Sequence, residues 1–314
     1  MVIFGIDIGG TSIKIGLFQD KGELIEQWQI PTSPNHLFEE LVDSIREHLT
    51  FHKMSIEDVF GYGIGIPGII KNGIARCVNL GWDNVDIKRK FQSAIGYDAK
   101  VYVFNDANIA AYGEAAYAKL MNDSVVFVTL GTGVGGGIIL NHEIVEGANG
   151  LGGEIGHMCI DSTYNFPCGC GKTGCLETVV SAKGILNLVR FYKDKFSTAL
   201  KITNDLTAKD VIDAAKNEDE LASFVINEAC HTLGRALASI AVILNPDAFI
   251  IGGGLSNAGS FLLEAIQRNY LEVCIEQAKD IKISLAVLKN NAGIYGACAY
   301  LIQKKQEVEK NGKC

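Results

Sequence analysis

The 314-residue sequence has no run of basic residues, and its 28 lysines and arginines against 36 acids leave a formal net charge of −8. Such a chain repels a polyphosphate backbone, which argues against a nucleic-acid partner. It also lacks a basic segment ahead of its first apolar residues, since Met1-Val2-Ile3-Phe4-Gly5-Ile6 runs straight into Asp7. That opening reads as a first strand and not as a secretory leader. No apolar run approaches the ~18 residues that a membrane helix needs, so no membrane partner is expected. Low-complexity segments and long flexible linkers are absent as well. Nine cysteines would suit a secreted chain, but three of them crowd into 168–175 with metal-ligand spacing. A cytoplasmic location is the expectation.

What the sequence does have is apolar mass and glycine. Hydrophobic residues make up 48% against 20% charged, enough for a packed core, and the length suggests roughly two domains at about 150 residues each. The 35 glycines cluster. Ile3 to Phe18 is apolar and β-branched on both sides of Gly9-Gly10-Thr11, which predicts strand, tight turn, strand. Val125 to Leu130 runs into Gly131-Thr132-Gly133-Val134-Gly135-Gly136-Gly137 and on into Ile138-Ile139-Leu140. This repeats the same device 122 residues later, Gly9 aligning on Gly131. Phe249-Ile250-Ile251 leading into Gly252-Gly253-Gly254 is a third variant, after a long helical stretch ending at Asn245-Pro246. Residues 36–51 carry apolar positions at helical spacing, with Ser33 and Pro34 suited to the cap and first turn. Strands are also predicted at 61–67, 101–104 and 283–288, and helices from near Asn108 and over 292–308. The alternation makes the class α/β, with two related domains facing each other across a cleft.

Glycine lets several backbone N–H groups approach one anion, so the three loops suit phosphates, although each alone also suits a plain hairpin turn. Two familiar motifs fail. Gly131-x-Gly133-x-x-Gly136 has the dinucleotide spacing, yet that fingerprint opens a helix and Ile138-Ile139-Leu140 continues as strand. Gly171-Lys172-Thr173 resembles the end of a P-loop, but Phe166 stands where its first glycine belongs. Asp7 is costly to bury in an apolar strand unless a lysine or arginine pairs with it or it serves phosphates and their Mg²⁺. Lys14, on the returning strand, can lean toward the same phosphates. Asp106, after Val101 to Asn105, is either a helix cap or a carboxylate placed to take a proton from an attacking hydroxyl.

His157, Cys168, Cys170 and Cys175 form H-x10-C-x-C-x4-C, three thiolates and an imidazole that suit tetrahedral Zn²⁺. Four protein ligands close the site, so the metal is expected to be structural. Glu154 and Glu177 flank it. They are either solvated or, held by the same loop, set to hydrogen-bond sugar hydroxyls together with the second nitrogen of His157.

These residues closely resemble the ROK family (repressors, open reading frames, sugar kinases). The segments that carry the resemblance are Asp7 to Lys14, Ile66-Pro67-Gly68, Asn79 to Trp82, Asn105-Asp106, Gly131 to Gly137, Glu154 to His157, the cysteine cluster with Glu177, and Ile251 to Gly254. It spans residue 3 to about 300 and is strongest toward the bacterial glucokinases of Gram-positive type. It implies an actin-like ATPase fold. An N-terminal α/β domain over 1–115 would be completed by a helix at 292–314, and a larger one over 116–291 would carry the zinc loop. By the same resemblance Asp106 is the general base. Gly68, Asn79, Asn105, Glu154, His157 and Glu177 bind the sugar, joined by Asp106 itself. Asp7, Gly9, Gly10, Thr11, Lys14, Gly131, Thr132, Gly133, Gly135 and Gly136 hold phosphates, and Gly252, Gly253 and Gly254 lie near the adenosine. A homodimer is implied too. The expected activity is ATP- and Mg²⁺-dependent phosphorylation of glucose at its 6-hydroxyl. The alternatives are a kinase for N-acetylmannosamine or another hexose, a sugar-responsive repressor, and a dinucleotide-dependent oxidoreductase. Repressors of that family carry a DNA-binding segment ahead of the first glycine turn, and with six residues before Asp7 a repressor is the less expected reading.

Overall fold

Residues 3 to 8 alternate between two environments, as a strand buried on both faces must. Phe4, Ile6 and Ile8 enter one apolar cluster and Ile3 another, while Gly5 and Asp7 share the face of Ile3. The computed structural model of the chain describes residues 1–71, 73–77, 80–120, 124–160 and 162–311, so the expectation for Asn79 lies outside the described residues. The chain divides into two compact units. Unit 1 comprises Met1–Leu120, Glu143–Gly152 and Asn290–Cys314, and unit 2 comprises Met121–His142 and Gly153–Lys289. Residues 143–152, placed by the sequence with the second domain, thus belong to unit 1.

In unit 1, β1 (Val2–Ile8), β2 (Ser12–Gln19), β3 (Leu24–Pro31), β4 (Val59–Ile66) and β8 (Val101–Asn105) form a sheet in the order β3-β2-β1-β4-β8. The pairs β1/β2 and β2/β3 are antiparallel, and β1/β4 and β4/β8 are parallel. A smaller sheet joins β5 (Ile69–Lys71), β6 (Ile74–Cys77) and β7 (Trp82–Asp86). One face of the large sheet packs on α1 (Leu37–Phe51) and α2 (Ile87–Ile95) through Phe4, Ile13, Leu41, Ile45, Tyr62 and Phe91. The other face is nearly bare, with Gly5, Gly16, Gly61, Gly63 and Gly65 on it. There α3 (Asp106–Tyr117) and α9 (Ala292–Asn311) lie almost on the backbone: a Cβ on Gly63 would come within 2.8 Å of Ala297, and one on Gly65 within 2.9 Å of Ile109. The short β11 (Glu143–Ile144) completes the unit's elements.

In unit 2, β9 (Val125–Leu130), β10 (Val134–Leu140), β12 (Ala248–Gly252) and β13 (Lys282–Leu285) run in the order β10-β9-β12-β13. The pair β9/β10 is antiparallel, and β9/β12 and β12/β13 are parallel, as β1/β2, β1/β4 and β4/β8 are in unit 1. Helices α4 (Glu177–Val180), α5 (Ala182–Tyr192), α6 (Ala208–Lys216), α7 (Glu220–Leu244) and α8 (Ser260–Val273) cover it around one large core. Asn245 ends α7 in the left-handed region at φ 46°, followed by Pro246, which cannot continue a helix.

Several boundaries differ from the sequence reading. The cap of α1 is His36 without a side-chain bond, and Ser33 instead closes a turn by accepting the His36 N–H at 3.0 Å. Strand β10 starts at Val134 rather than Ile138, because glycine can pair in a ladder as well as turn. Strand β13 ends at Leu285 instead of Leu288.

Candidate active site

Unit 1 gathers its candidate groups at the carboxyl ends of its parallel strands, where ligands bind in open α/β sheets. Across the sheet, Asp7 of β1 is level with Gly65 of β4, Gly65 with Phe104 of β8, and Ile66 with Asn105. Asn105 is the cap of α3: its Oδ1 accepts the Asn108 N–H at 3.0 Å, and its Nδ2 donates to the Gly68 carbonyl at 2.9 Å. Gly68 sits at φ +100° with no space for a side chain against the backbone of Arg76. One hydrogen of the Asn105 amide is left for a ligand. Asp106 is therefore the first residue of the helix and not its cap, and its Oδ1 accepts the Ala107 N–H at 2.8 Å.

Asp7 faces Lys14 directly across the β1/β2 ladder, on the bare face of the sheet. Burial pushes its carboxyl above the usual range, and the Lys14 charge opposes that. Lys14 spends its ammonium on the Asn290 carbonyl at 2.9 Å. The start of α9 passes over Asp7 so closely that a Cβ on Gly293 would lie 3.0 Å from its Cγ. Gly293 was not singled out by sequence reasoning, and no local signal marks it, because the need arises from a contact 286 positions away. The turn Gly9-Gly10-Thr11 is shaped by the Gly9 N–H on the Ser12 carbonyl at 3.0 Å. Thr32, another unforeseen residue, steadies it with its hydroxyl on the Gly9 carbonyl at 2.7 Å. Gly10 and Thr11 are exposed, and a Cβ on Gly10 meets nothing within 4 Å.

In unit 2 the corresponding turn is Gly131-Thr132-Gly133, closed by the Gly131 N–H on the Gly133 carbonyl at 3.0 Å. The Ala182 N–H holds the Gly131 carbonyl at 2.8 Å from the start of α5, and Gly133 is hemmed by Glu177, whose Oε2 lies 2.8 Å from where its Cβ would stand. Gly135 and Gly136 stand in β10, opposite Thr129 and Val128. Gly136 serves packing, for a Cβ there would meet Ile155 at 2.7 Å. Gly253, at φ +81°, presses on the Leu130 backbone just before the turn, so the 131–133 turn and Gly252 to Gly254 are neighbours. Gly252 itself makes room for Phe127, while Gly254 is open.

The metal-like cluster is assembled as its spacing predicts. One donor atom from each of His157, Cys168, Cys170 and Cys175 lies within 4.8 Å of every other. Cys168 Sγ is 3.5 Å from His157 Nδ1, and Cys170 Sγ is 3.6 Å from Cys175 Sγ. Zn–S bonds of 2.3 Å in a tetrahedron separate two sulfurs by about 3.8 Å, so the donor set fits one such ion. Single bridges Cys159↔Cys175 and Pro167↔Thr173, with Gly171 and Gly174 at positive φ, wrap the loop around that point. His157 turns Nδ1 inward, which leaves Nε2 4.0 Å from Glu154 Oε2. Glu177 accepts from Cys168 at 2.9 Å through Oε1. The cluster thus places Glu154, His157, Glu177 and Gly133 beside one another within unit 2.

The ROK family model matches residues 3–305. The chain is 37% identical to the glucokinase of Halalkalibacterium halodurans, over 98% of this chain and 97% of that one. Among solved structures it is similar to the ROK hexokinase of Thermus thermophilus, with a TM-score of 0.81 and 27% identity over 97% of this chain and all of that one. It is also similar to a ROK glucokinase of Streptomyces griseus in complex with glucose and AMPPNP, with a TM-score of 0.75 and 29% identity over 96% and 100%. The architecture of the two sheets is that of the actin-like ATPases. The chain belongs to the ROK family.

Proposed function

We propose that the protein is an ATP-dependent hexose kinase that phosphorylates glucose at its 6-hydroxyl. The reading is carried by Asp106, the first residue of α3, whose carboxylate accepts the Ala107 N–H at the carboxyl end of β8, in a chain so similar to glucokinases over its whole length. Asp106 takes the proton of the 6-hydroxyl as that oxygen attacks the γ-phosphorus. The phosphoryl group leaves ADP and glucose 6-phosphate is formed. Asn105, with its remaining amide hydrogen, and the Gly68 turn hold sugar hydroxyls. Glu154, His157 through Nε2, and Glu177 do the same from the His–Cys loop, to which Asn79 is added from the resemblance alone.

Backbone N–H groups of 9–11 and 131–133 neutralise phosphate charge, and Gly252 to Gly254 lie along the adenosine. Gly135 and Gly136 act by forming the strand that presents the second turn. Asp7 suits a phosphate-bound Mg²⁺, which would spread the charge of the γ-phosphate, and Lys14 suits the phosphates themselves. His157, Cys168, Cys170 and Cys175 would hold a structural Zn²⁺. Steady-state kinetics of Asp106→Asn test the reading. Removing a general base costs about 10²–10⁴ in rate, so kcat should fall at least a hundredfold by that estimate, with the circular dichroism unchanged. Near-normal turnover would defeat the assignment. A coupled ADP-release assay over a sugar panel tests the choice of glucose over N-acetylmannosamine.

A further inference from the structure

The His–Cys loop carries one more cysteine than its four-donor cluster uses. Cys159 is exposed, and its sulfur stands outside the group formed by His157, Cys168, Cys170 and Cys175. Its backbone is nevertheless tied to that group by a single antiparallel bridge to Cys175. The Ile160 N–H donates to the Gly174 carbonyl at 3.0 Å, and the Leu176 N–H donates to the Met158 carbonyl at 2.9 Å. These two bonds flank the bridge, so Cys159 and Cys175 are a non-hydrogen-bonded pair whose side chains leave the ribbon on one face. Such pairs have Cα atoms about 4.5 Å apart and Cβ atoms at the near end of about 4.5–5.5 Å. A disulfide takes Cα separations of about 4.4–6.8 Å and Cβ separations of about 3.5–4.5 Å. The register thus brings the two cysteines within bonding reach by little more than side-chain rotation.

The two thiols differ in what they are free to do. In a filled cluster Cys168, Cys170 and Cys175 spend their sulfurs on the metal, whereas Cys159 keeps a thiol at the surface. Cys77, Cys230 and Cys298 are buried, and Cys274 stands at the end of α8. We propose that Cys159 is an oxidation site, where hydrogen peroxide drives a reversible Cys159–Cys175 disulfide that opens the cluster. The Cys159 sulfur attacks one peroxide oxygen, the O–O bond breaks, and water departs with the thiol proton, leaving a sulfenic acid. The Cys175 sulfur gives up the metal and attacks the Cys159 sulfur, expelling hydroxide that takes up a proton as a second water. The sulfurs together lose two electrons and peroxide gains them. Exchange with an added dithiol restores both thiols.

The bond forms where the loop sets its other groups. His157 lies two residues before Cys159 and Glu177 two after Cys175, and Glu177 accepts from Cys168 at 2.9 Å. Opening the cluster therefore loosens the side chains that the sugar reading uses. The inference rests on the metal reading of the cluster, which zinc content tests by itself.

The zinc-loaded full chain is treated with hydrogen peroxide while a chromogenic chelator reports freed zinc. Unreduced samples are then cut at Asp161 and Lys172, which puts Cys159, Cys170 and Cys175 in separate peptides. The wild type should free zinc in step with a cross-link between the Cys159 and Cys175 peptides, and dithiothreitol should remove that cross-link. Cys159→Ser, at an exposed position, should fold and load zinc as the wild type does. It should free zinc at least about tenfold more slowly, because only sulfurs engaged by the metal are then left in the loop for peroxide to attack. The inference is overturned if no such cross-link forms, if Cys175 joins Cys170, whose sulfur is 3.6 Å away, or if Cys159→Ser frees zinc as fast as the wild type. A chain that holds no zinc before oxidation overturns the release step together with the metal reading, while a Cys159–Cys175 cross-link mapped in it still supports the pairing.

Discussion

The two units use one device for different chemistry. In each, an antiparallel pair joined by a glycine turn is followed by two parallel strands. The turn is one residue shorter in unit 2, where Leu130 pairs with Val134, than in unit 1, where Ile8 pairs with Ile13. Level with Asp7 and Lys14 of unit 1, unit 2 has Thr129 paired with Gly135. Where unit 1 ends β8 in Asn105-Asp106, unit 2 ends β13 in Leu285-Ala286. Unit 1 therefore places charge and unit 2 bare backbone. A repeated fold sets where the strand ends lie, and a few side chains decide what they do.

The comparison is broken most severely at Asp106, through the hundredfold loss already stated. Giving unit 1 the residue of unit 2 by Asp7→Thr comes next. As the loss of one preorganised charge, it should lower kcat about tenfold or more, read from initial rates against Mg²⁺. Its effect on stability has the opposite sign. The folded pKa of Asp7 lies above its unfolded one, so stability is full below the unfolded value and is lost as pH rises through the folded value. The Thr variant should thus melt at or above the wild-type temperature at pH 7, and the gap should close on acidification. A variant that melts lower at pH 7 would show that the carboxylate stabilises the unit.

Removing one cluster ligand by Cys170→Ser, at an exposed position, sharpens the reading of unit 2. Zinc content by atomic absorption should fall away and the KM for sugar rise about tenfold, as for residues that a metal loop orients. Full sugar affinity without metal would remove the scaffold role. The two turns themselves are compared by Gly133→Ala and Gly10→Ala in urea melts. The first has to shift the end of the Glu177 side chain and should cost about 0.5–1 kcal/mol, whereas the second meets nothing and should cost less than that.

The smallest effect belongs to Glu26 on β3, which bonds His48 at 3.0 Å and His52 at 2.9 Å. Partial burial pushes its carboxyl up, but the two hydrogen bonds together hold it below its ordinary value. Its contribution is present above the unfolded pKa and lost as pH falls through the folded one. Glu26→Gln should cost about 0.5–1 kcal/mol at pH 7 and nothing once the Glu26 carboxyl is protonated in the folded and unfolded states alike.

The repeat, both turns and the clustering of His157, Cys168, Cys170 and Cys175 were legible because each is local: strand period, glycine and His–Cys spacing are written in neighbouring residues. The segment Gly61 to Gly65 reads as a strand, yet nothing in it says that its glycines form a floor for α3 and α9. Nor does the local sequence say that Gly136 and Gly252 make room for Ile155 and Phe127. Thr32 and Gly293 carry no signal at all, since the partners that give them meaning are distant in the chain.

By itself the amino-acid order determined the α/β class, the doubled strand–turn–strand unit, the His–Cys loop and the carboxylate after β8, because periodicity and spacing act over a few residues. Tertiary structure alone decided that Asp7 is buried beneath α9, that Glu177 touches both Cys168 and the Gly133 turn, and that the Tyr62 hydroxyl is without a partner among the described residues. Burial, close approach and unmet hydrogen bonds are properties of packed neighbours, and neighbours are chosen only when the chain folds.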